Sequence, residues 1–130
     1  MMNSNAAFSF SRKYRYRLNR RINQSRKEII FIGLNPSTAD EEDNDSTLIR
    51  VLNFSDSWGY GSLVVINLFA RISTSPRLLK SSSNPIGPFN NFELKTNMKY
   101  WSQNEFCDLW LGWGVNGSFL KRDRNILKEI

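Results

Sequence analysis

Histidine is absent from the 130 residues. That removes Ser-His and Cys-His nucleophile pairs and His-ligated zinc. Any acid–base step falls to Asp, Glu, Lys, Tyr or a water positioned by Asn. A single cysteine, Cys107, cannot make an internal disulfide, and the expected compartment is the reducing cytoplasm. Long apolar runs are missing too. The longest are about eight residues, against roughly 20 for a membrane-spanning helix, so no membrane contact is expected. Positions 1–11 lack the apolar centre of a secretory signal. Acidic residues are missing from the first 27 positions, which hold eight Arg and Lys, while the rest of the chain carries a net charge of −2. The overall charge of +6 therefore belongs to the leading segment.

Hydrophobic residues make up 40% and charged residues 23%, the balance of a globular chain, and the length bounds it to one domain over 1–130. Residues 1–11 carry little pattern and are expected to fray. Residues 13–22 alternate, with Tyr14, Tyr16 and Leu18 on one side and Lys13, Arg15 and Arg17 on the other. This period of two predicts a basic strand with an aromatic face, placed at a sheet edge where its charges deter aggregation. The same residues suit a second purpose. Arg15 and Arg17 could track a nucleic-acid backbone, with Tyr14 and Tyr16 stacking on bases.

Three near-continuous apolar segments follow, at 28–33, 62–70 and 106–114, and helical patterns separate them. The first helix is capped by Asp45 or Ser46, with Leu48, Ile49, Leu52 and Trp58 on its buried side. A short helix is expected near 77–80, a longer one over 89–102, and a last one from Gly117 or Ser118 with Phe119, Ile126 and Ile130 on one face. Apolar strands alternating with helices predict a three-layer α/β/α domain around a short, mostly parallel sheet. Right-handed crossovers would gather the strand ends at one edge, bringing Asn35, Asn67 and Trp113 together. Ligands of such sheets bind there.

The segment Gly33-Leu34-Asn35-Pro36-Ser37-Thr38-Ala39-Asp40 is the densest local signal. An apolar strand stops at Gly33 and a polar loop begins. It reads either as a binding loop or as a strand-to-helix turn in which Asn35 satisfies loop amides and Pro36 stiffens the exit. Ser37 and Thr38 could offer hydroxyls and amides to a ligand or simply cap the helix. Asn67 ends an apolar strand, where a buried amide is costly unless paired. The acidic run Asp40, Glu41, Glu42, Asp43, Asp45 has the oxygen chemistry of a divalent site but lacks the central glycine of a calcium loop. Neither a metal nor a cofactor is expected.

These motifs carry a resemblance. The chain closely resembles the uncharacterised domain-of-unknown-function family 1643 in the Tyr-Arg-Tyr-Arg-Leu stretch (14–18), the 33–40 segment and Trp58-Gly59-Tyr60-Gly61. The likeness continues through Val64–Ala70, Asn84–Pro88, Gly112–Gly117 and Arg122-Asp123-Arg124. More distantly it is similar to the uracil-DNA glycosylase superfamily, through Gly33-Leu34-Asn35-Pro36, the strand ending at Asn67, and Trp113-Gly114. That second likeness implies a uracil-DNA glycosylase-like fold with an added basic N-terminal edge strand. It implies that Asn35 is the catalytic residue, orienting a water, and that Asn67 reads an extruded base. Pro36, Ser37, Thr38, Asp40, Phe69, Trp113 and Asn116 then complete the ligand site. An enzyme on this pattern is a metal-independent DNA glycosylase-like hydrolase.

The His-Pro segment that closes both families' pattern has no counterpart here, so a C-terminal part of the family fold is expected to be missing. The resulting expectation is recognition of a nucleobase, nucleotide or nucleic acid at the strand ends. The alternative is a non-catalytic or truncated interaction module whose C-terminal flank is covered by a second copy or a partner chain.

Overall fold

The computed structural model describes residues 4–130. Five strands form one open sheet: β1 (Ser4–Phe8), β2 (Arg15–Arg21), β3 (Glu28–Gly33), β4 (Ser62–Asn67) and β5 (Cys107–Leu111), in the spatial order β1-β2-β4-β3-β5. Four helices accompany them: α1 (Ser46–Ser57), α2 (Pro76–Ser81), α3 (Asn90–Gln103) and α4 (Arg122–Leu127).

The sheet is mixed rather than mostly parallel. β3 pairs in parallel with β4 and β5, whereas β1–β2 and β2–β4 are antiparallel. The parallel half is the part that apolar patterning predicts. The antiparallel half arises because the leading segment contributes two strands, not one. β1 is four small or polar residues and Phe8, with no alternation, so only its pairing with β2 makes it a strand. The expectation that residues 1–11 fray is thus corrected for 4–8, while residues 1–3 lie outside the described residues. β1 also takes the edge, so β2 is an inner strand between β1 and β4.

The link from β2 to β3 crosses the start of β4, which lies between them. Ile22 and Asn23 donate their amides to the Gly61 carbonyl at 2.8 and 3.2 Å. A Cβ on Gly61 would sit 1.9 Å from the Ser25 carbonyl oxygen, so only glycine lets this crossing lie flat.

Two apolar clusters flank the sheet. On one face Leu18, Ile29, Phe31, Leu63 and Val65 pack against Leu48 and Val51 of α1. On the other, Ile30, Ile32, Ile66 and Leu68 meet Leu79 of α2, Leu94 and Met98 of α3 and Ile126 of α4. Helices therefore cover both faces. α1 turns its Leu48, Val51 and Ser55 inward, whereas Ile49 and Trp58, predicted as core, are about half exposed. β5 is less buried than its apolar sequence suggests, because it forms the second edge of the sheet and only Cys107 is fully covered. The predicted last helix is two pieces, a 3₁₀ segment at Val115–Lys121 and then α4, divided where Leu120 and Lys121 take positive φ. Ile130 is exposed and shares no buried face with Ile126.

Candidate functional site

At the carboxyl ends of β3 and β4 lies a pocket of about 220 Å³ on the α1 side of the sheet. Gly33 and Asn67, the last residues of the two strands, are in register. Phe31 and Val65 line it from the strands, Asn35, Pro36, Ser37 and Ala39 from the loop, and Thr47, Leu48 and Val51 from α1. The final wall is Gly112, just past β5.

Close packing dictates the glycines here. A Cβ on Gly33 would stand 2.7 Å from Asn67 Oδ1, and one on Gly112 would stand 2.3 Å from the Phe31 ring. Their absence lets the Asn67 amide and the Phe31 ring lie against the strand ends. Phe31 is held edge-on by Trp110, with ring centroids 4.9 Å apart.

The loop between β3 and α1 is tied from several sides. Asn35 Nδ2 donates to the Pro36, Arg71 and Ser73 carbonyls at 3.0, 3.4 and 3.0 Å. Its amide group thus anchors the loop to the segment after β4. Asp45 caps α1 by accepting from the Leu48 amide at 2.9 Å, and its other oxygen accepts from the Thr38 and Ala39 amides at 3.3 and 3.1 Å. Asp40 accepts from the Glu42 and Asp43 amides, which hold its carboxyl below the ordinary range. Arg20 donates to the Asp40 and Asp43 carbonyls and to Asn44. Arg12 forms an ion pair with Glu41 at 2.8 Å. The acidic run is therefore a loop stitched by arginines.

Two polar side chains in the pocket are left over. Asn67 is 3% exposed, and its Nδ2 has no hydrogen-bond partner. Arg15 is 5% exposed; its Nη1 donates to the Ala39 carbonyl at 3.0 Å, but its Nε has no partner. Burial lowers the Arg15 pKa to about 10, with Asp45 opposing the shift and Arg20 adding to it. The group stays protonated at neutral pH.

Arg15 reaches the pocket through a break in β2. Ala7 and Phe8 are consecutive, yet they face Arg17 and Arg15. Tyr16 is the extra residue of a β-bulge, a device that re-aims side chains. Past it the alternation changes phase. Arg15 joins Leu18 and Arg20 on the α1 side, while Arg17 turns to the α3 side and pairs with Glu93 at 3.2 Å. The predicted face of Lys13, Arg15 and Arg17 is thus split. Tyr16 is buried against Phe89, and Tyr14 donates its hydroxyl to the Asn84 carbonyl at 2.8 Å.

Of the residues singled out from sequence, Asn35, Pro36, Ser37 and Asn67 line the pocket. Thr38 is exposed beside it, and Asp40 lies outside its lining. Phe69 is fully buried in the opposite cluster, its ring tilted against that of Phe119. Trp113 does not converge with the two asparagines. Past Leu111 the chain turns at Gly114, whose φ is +72°, and the Trp113 ring packs on Gly117. Asn116 accepts from Lys80 at 3.1 Å on that same distant side. Arg15, expected on one basic face with Arg17, is instead buried in the pocket lining, and Thr47, Val51 and Gly112 carry no local signal of a site.

Behind the pocket, the end of β4 is clamped. Asn90 Nδ2 donates to the Asn67 and Leu68 carbonyls at 2.9 and 3.1 Å. Arg122 donates twice to the Leu68 carbonyl, at 3.0 and 2.8 Å. These bonds fix the backbone beneath Asn67 and leave its side chain to the pocket.

Over residues 15–130 the chain matches the family described as "Protein of unknown function (DUF1643)", and it belongs to that family. No curated protein and no solved structure matches it. No helix among the described residues is long and apolar enough to cross a membrane.

Proposed function

We propose that the pocket at the ends of β3 and β4 recognises a heterocycle of the nucleobase type, and that it does so by binding rather than by hydrolysis. One observation carries the reading: Arg15 Nε and Asn67 Nδ2 are buried donors without partners beside a single cavity. A buried donor left unpaired costs about 1–3 kcal/mol, which a ligand acceptor would recover. The cavity of about 220 Å³ lies below the span of roughly 300–1,000 Å³ typical of drug-sized ligands, which suits one ring system. The Phe31 ring and the two glycines favour a flat one. The strand-end likeness to the uracil-DNA glycosylase superfamily supports a base as the guest. Any attached sugar would lie outward, towards Ser37 and Thr38.

Hydrolysis has weaker support. The Asn35 amide nitrogen is spent on three carbonyls, so the residue acts first as a loop anchor. A direct test is calorimetric titration with a panel of free bases, their nucleosides and anionic base derivatives. Binding of at least one of them, lost in Asn67→Ala, is expected; no binding by any of them rejects the reading. Incubation with uracil- and mismatch-containing DNA should yield no abasic product above an Asn35→Ala control. Product above that control would restore the glycosylase reading.

A further inference from the structure

We infer that the ligand of this pocket is a small planar anion, held by the Arg15 guanidinium and the Asn67 amide. The inference rests on the pocket being a ligand site and adds the ligand's charge and shape. It starts from a buried cation without an ion-pair partner. Arg15 is 5% exposed and, among the described residues, takes part in no ion pair. Buried guanidinium groups are ordinarily paired, because an uncompensated buried cation is strongly unfavourable. Among the described residues the guanidinium's one hydrogen bond goes to a neutral carbonyl, that of Ala39.

The neighbouring charges do not close the account. Asp45 attracts Arg15, but its two oxygens are already engaged by three backbone amides at the start of α1. There its charge also offsets the positive end of the helix dipole. Arg20, on the same side of β2, repels Arg15. Asp45 also lines the pocket, so the lining carries one charge of each sign, but no carboxylate pairs with the Arg15 guanidinium, whose Nε stays free beside the free Asn67 Nδ2. A carboxylate, or an ionised ring oxygen flanked by a ring acceptor, supplies both the negative charge and the lone pairs. Planarity follows from the walls. Phe31 lies against Gly33 and Gly112 with no room for a Cβ at either position, and it lines the cavity, so the wall it offers suits a flat guest.

The β2 bulge makes the arrangement specific. Without the bulge, regular alternation through Tyr16 would put Arg15 on the side of Arg17, whose partner is Glu93. The bulge instead turns a cation away from the available carboxylate and into a cavity. There the guanidinium forms no ion pair within the described residues, and an anion would provide one.

Titration of the wild-type protein with orotate, uracil and inorganic phosphate tests the inference. These are a planar anion, its neutral analogue and a tetrahedral anion. Orotate should bind at least about tenfold more tightly than uracil, the scale set by one hydrogen bond to a charged group. A tenfold excess of phosphate should leave orotate binding unchanged. Arg15→Met should erase the preference, so that orotate binds no more tightly than uracil. The wild-type ligand series stands even if that variant misfolds. Equal binding of orotate and uracil would overturn the anion while leaving the base-binding reading intact. Displacement of orotate by phosphate would overturn the planar requirement. Failure of every base, charged or neutral, would defeat the pocket reading itself.

Discussion

Gly33 shows how much of the site depends on an absent atom. The side chain it lacks would collide with Asn67 Oδ1 at 2.7 Å and meet Phe31 at 3.0 Å. Gly33→Ala should therefore push the Asn67 amide out of place and tilt the ring beneath the ligand. The expected cost is about 1–3 kcal/mol in urea unfolding, as for other overpacked sites. Ligand affinity should fall by about tenfold or more in calorimetry, the loss of one good contact. Unchanged affinity in a folded Gly33→Ala protein would separate Asn67 from the ligand. Asn35 and Asn67 were legible in the sequence because each is a polar residue at the end of an apolar strand. Arg15 was visible as a cation but not as a pocket residue. Nothing in the alternation of Tyr14 to Leu18 reveals that Tyr16 is supernumerary, since the bulge exists only in pairing with β1.

At the scale of elements, the start of α1 does two jobs through one carboxylate. Asp45 caps the helix and holds the Thr38 and Ala39 amides, so the pocket wall and the loop lip share an anchor. Loss of an N-cap costs about 0.5–2 kcal/mol. Asp45→Ala should reach the upper end, about 2 kcal/mol, because the loop amides lose their acceptor as well. Asp45→Asn should recover part of that loss. A urea midpoint unchanged by Asp45→Ala would show that the loop holds its place by other bonds. The strands β3 and β4, α2 and α3 fall close to where periodicity and turn residues predict them. β1 escaped prediction because Ser4-Asn5-Ala6-Ala7-Phe8 has no pattern of its own. Trp113 was misplaced because β5 ends at Leu111, and the positive φ of Gly114 carries the following chain to the other side.

For the whole molecule, pH offers a test of how the sheet edges are held. Tyr60 donates to Asp108 at 2.5 Å, and Tyr100 donates to Glu28 at 2.5 Å. Burial, then Asp108, pushes the Tyr60 hydroxyl up to about 12. For Tyr100 the Glu28 hydrogen bond, then burial, pushes the value up to about 12. Burial raises the Cys107 thiol to about 12 as well. Below pH 9 these three groups are neutral in folded and unfolded chains alike, so stability is intact. As pH rises the unfolded chain ionises first, from 9.0 for the thiol and 10.0 for the phenols, while the folded chain resists to about 12. Stability should therefore fall between pH 9 and 12. Arg15, lowered by burial to about 10, acts in the opposite sense at the top of this range, as do Arg20 and Arg122, also lowered by burial, whereas Tyr16, raised by burial, adds to the decline. Urea midpoints at pH 8 and 10.5 check this, and Tyr60→Phe with Tyr100→Phe should flatten the decline. A midpoint that does not move would mean that these bonds open in solution. The mixed character of the sheet belongs to this scale too. Apolar segments foretold the parallel strands, but strand order depends on which edges remain open after the whole chain has packed.

The bulge in β2 has a consequence for comparing chains of this kind. It works as a frame shift in space: the same residues, paired through an unbroken ladder, would set Arg15 beside Arg17 on the α3 side, whereas the bulge sends the two to opposite faces. Two chains with the same residues in this strand, one pairing regularly through Tyr16 and one bulging at it, would carry the same charge and the same apparent motif. Only the bulged one would have a cation waiting inside.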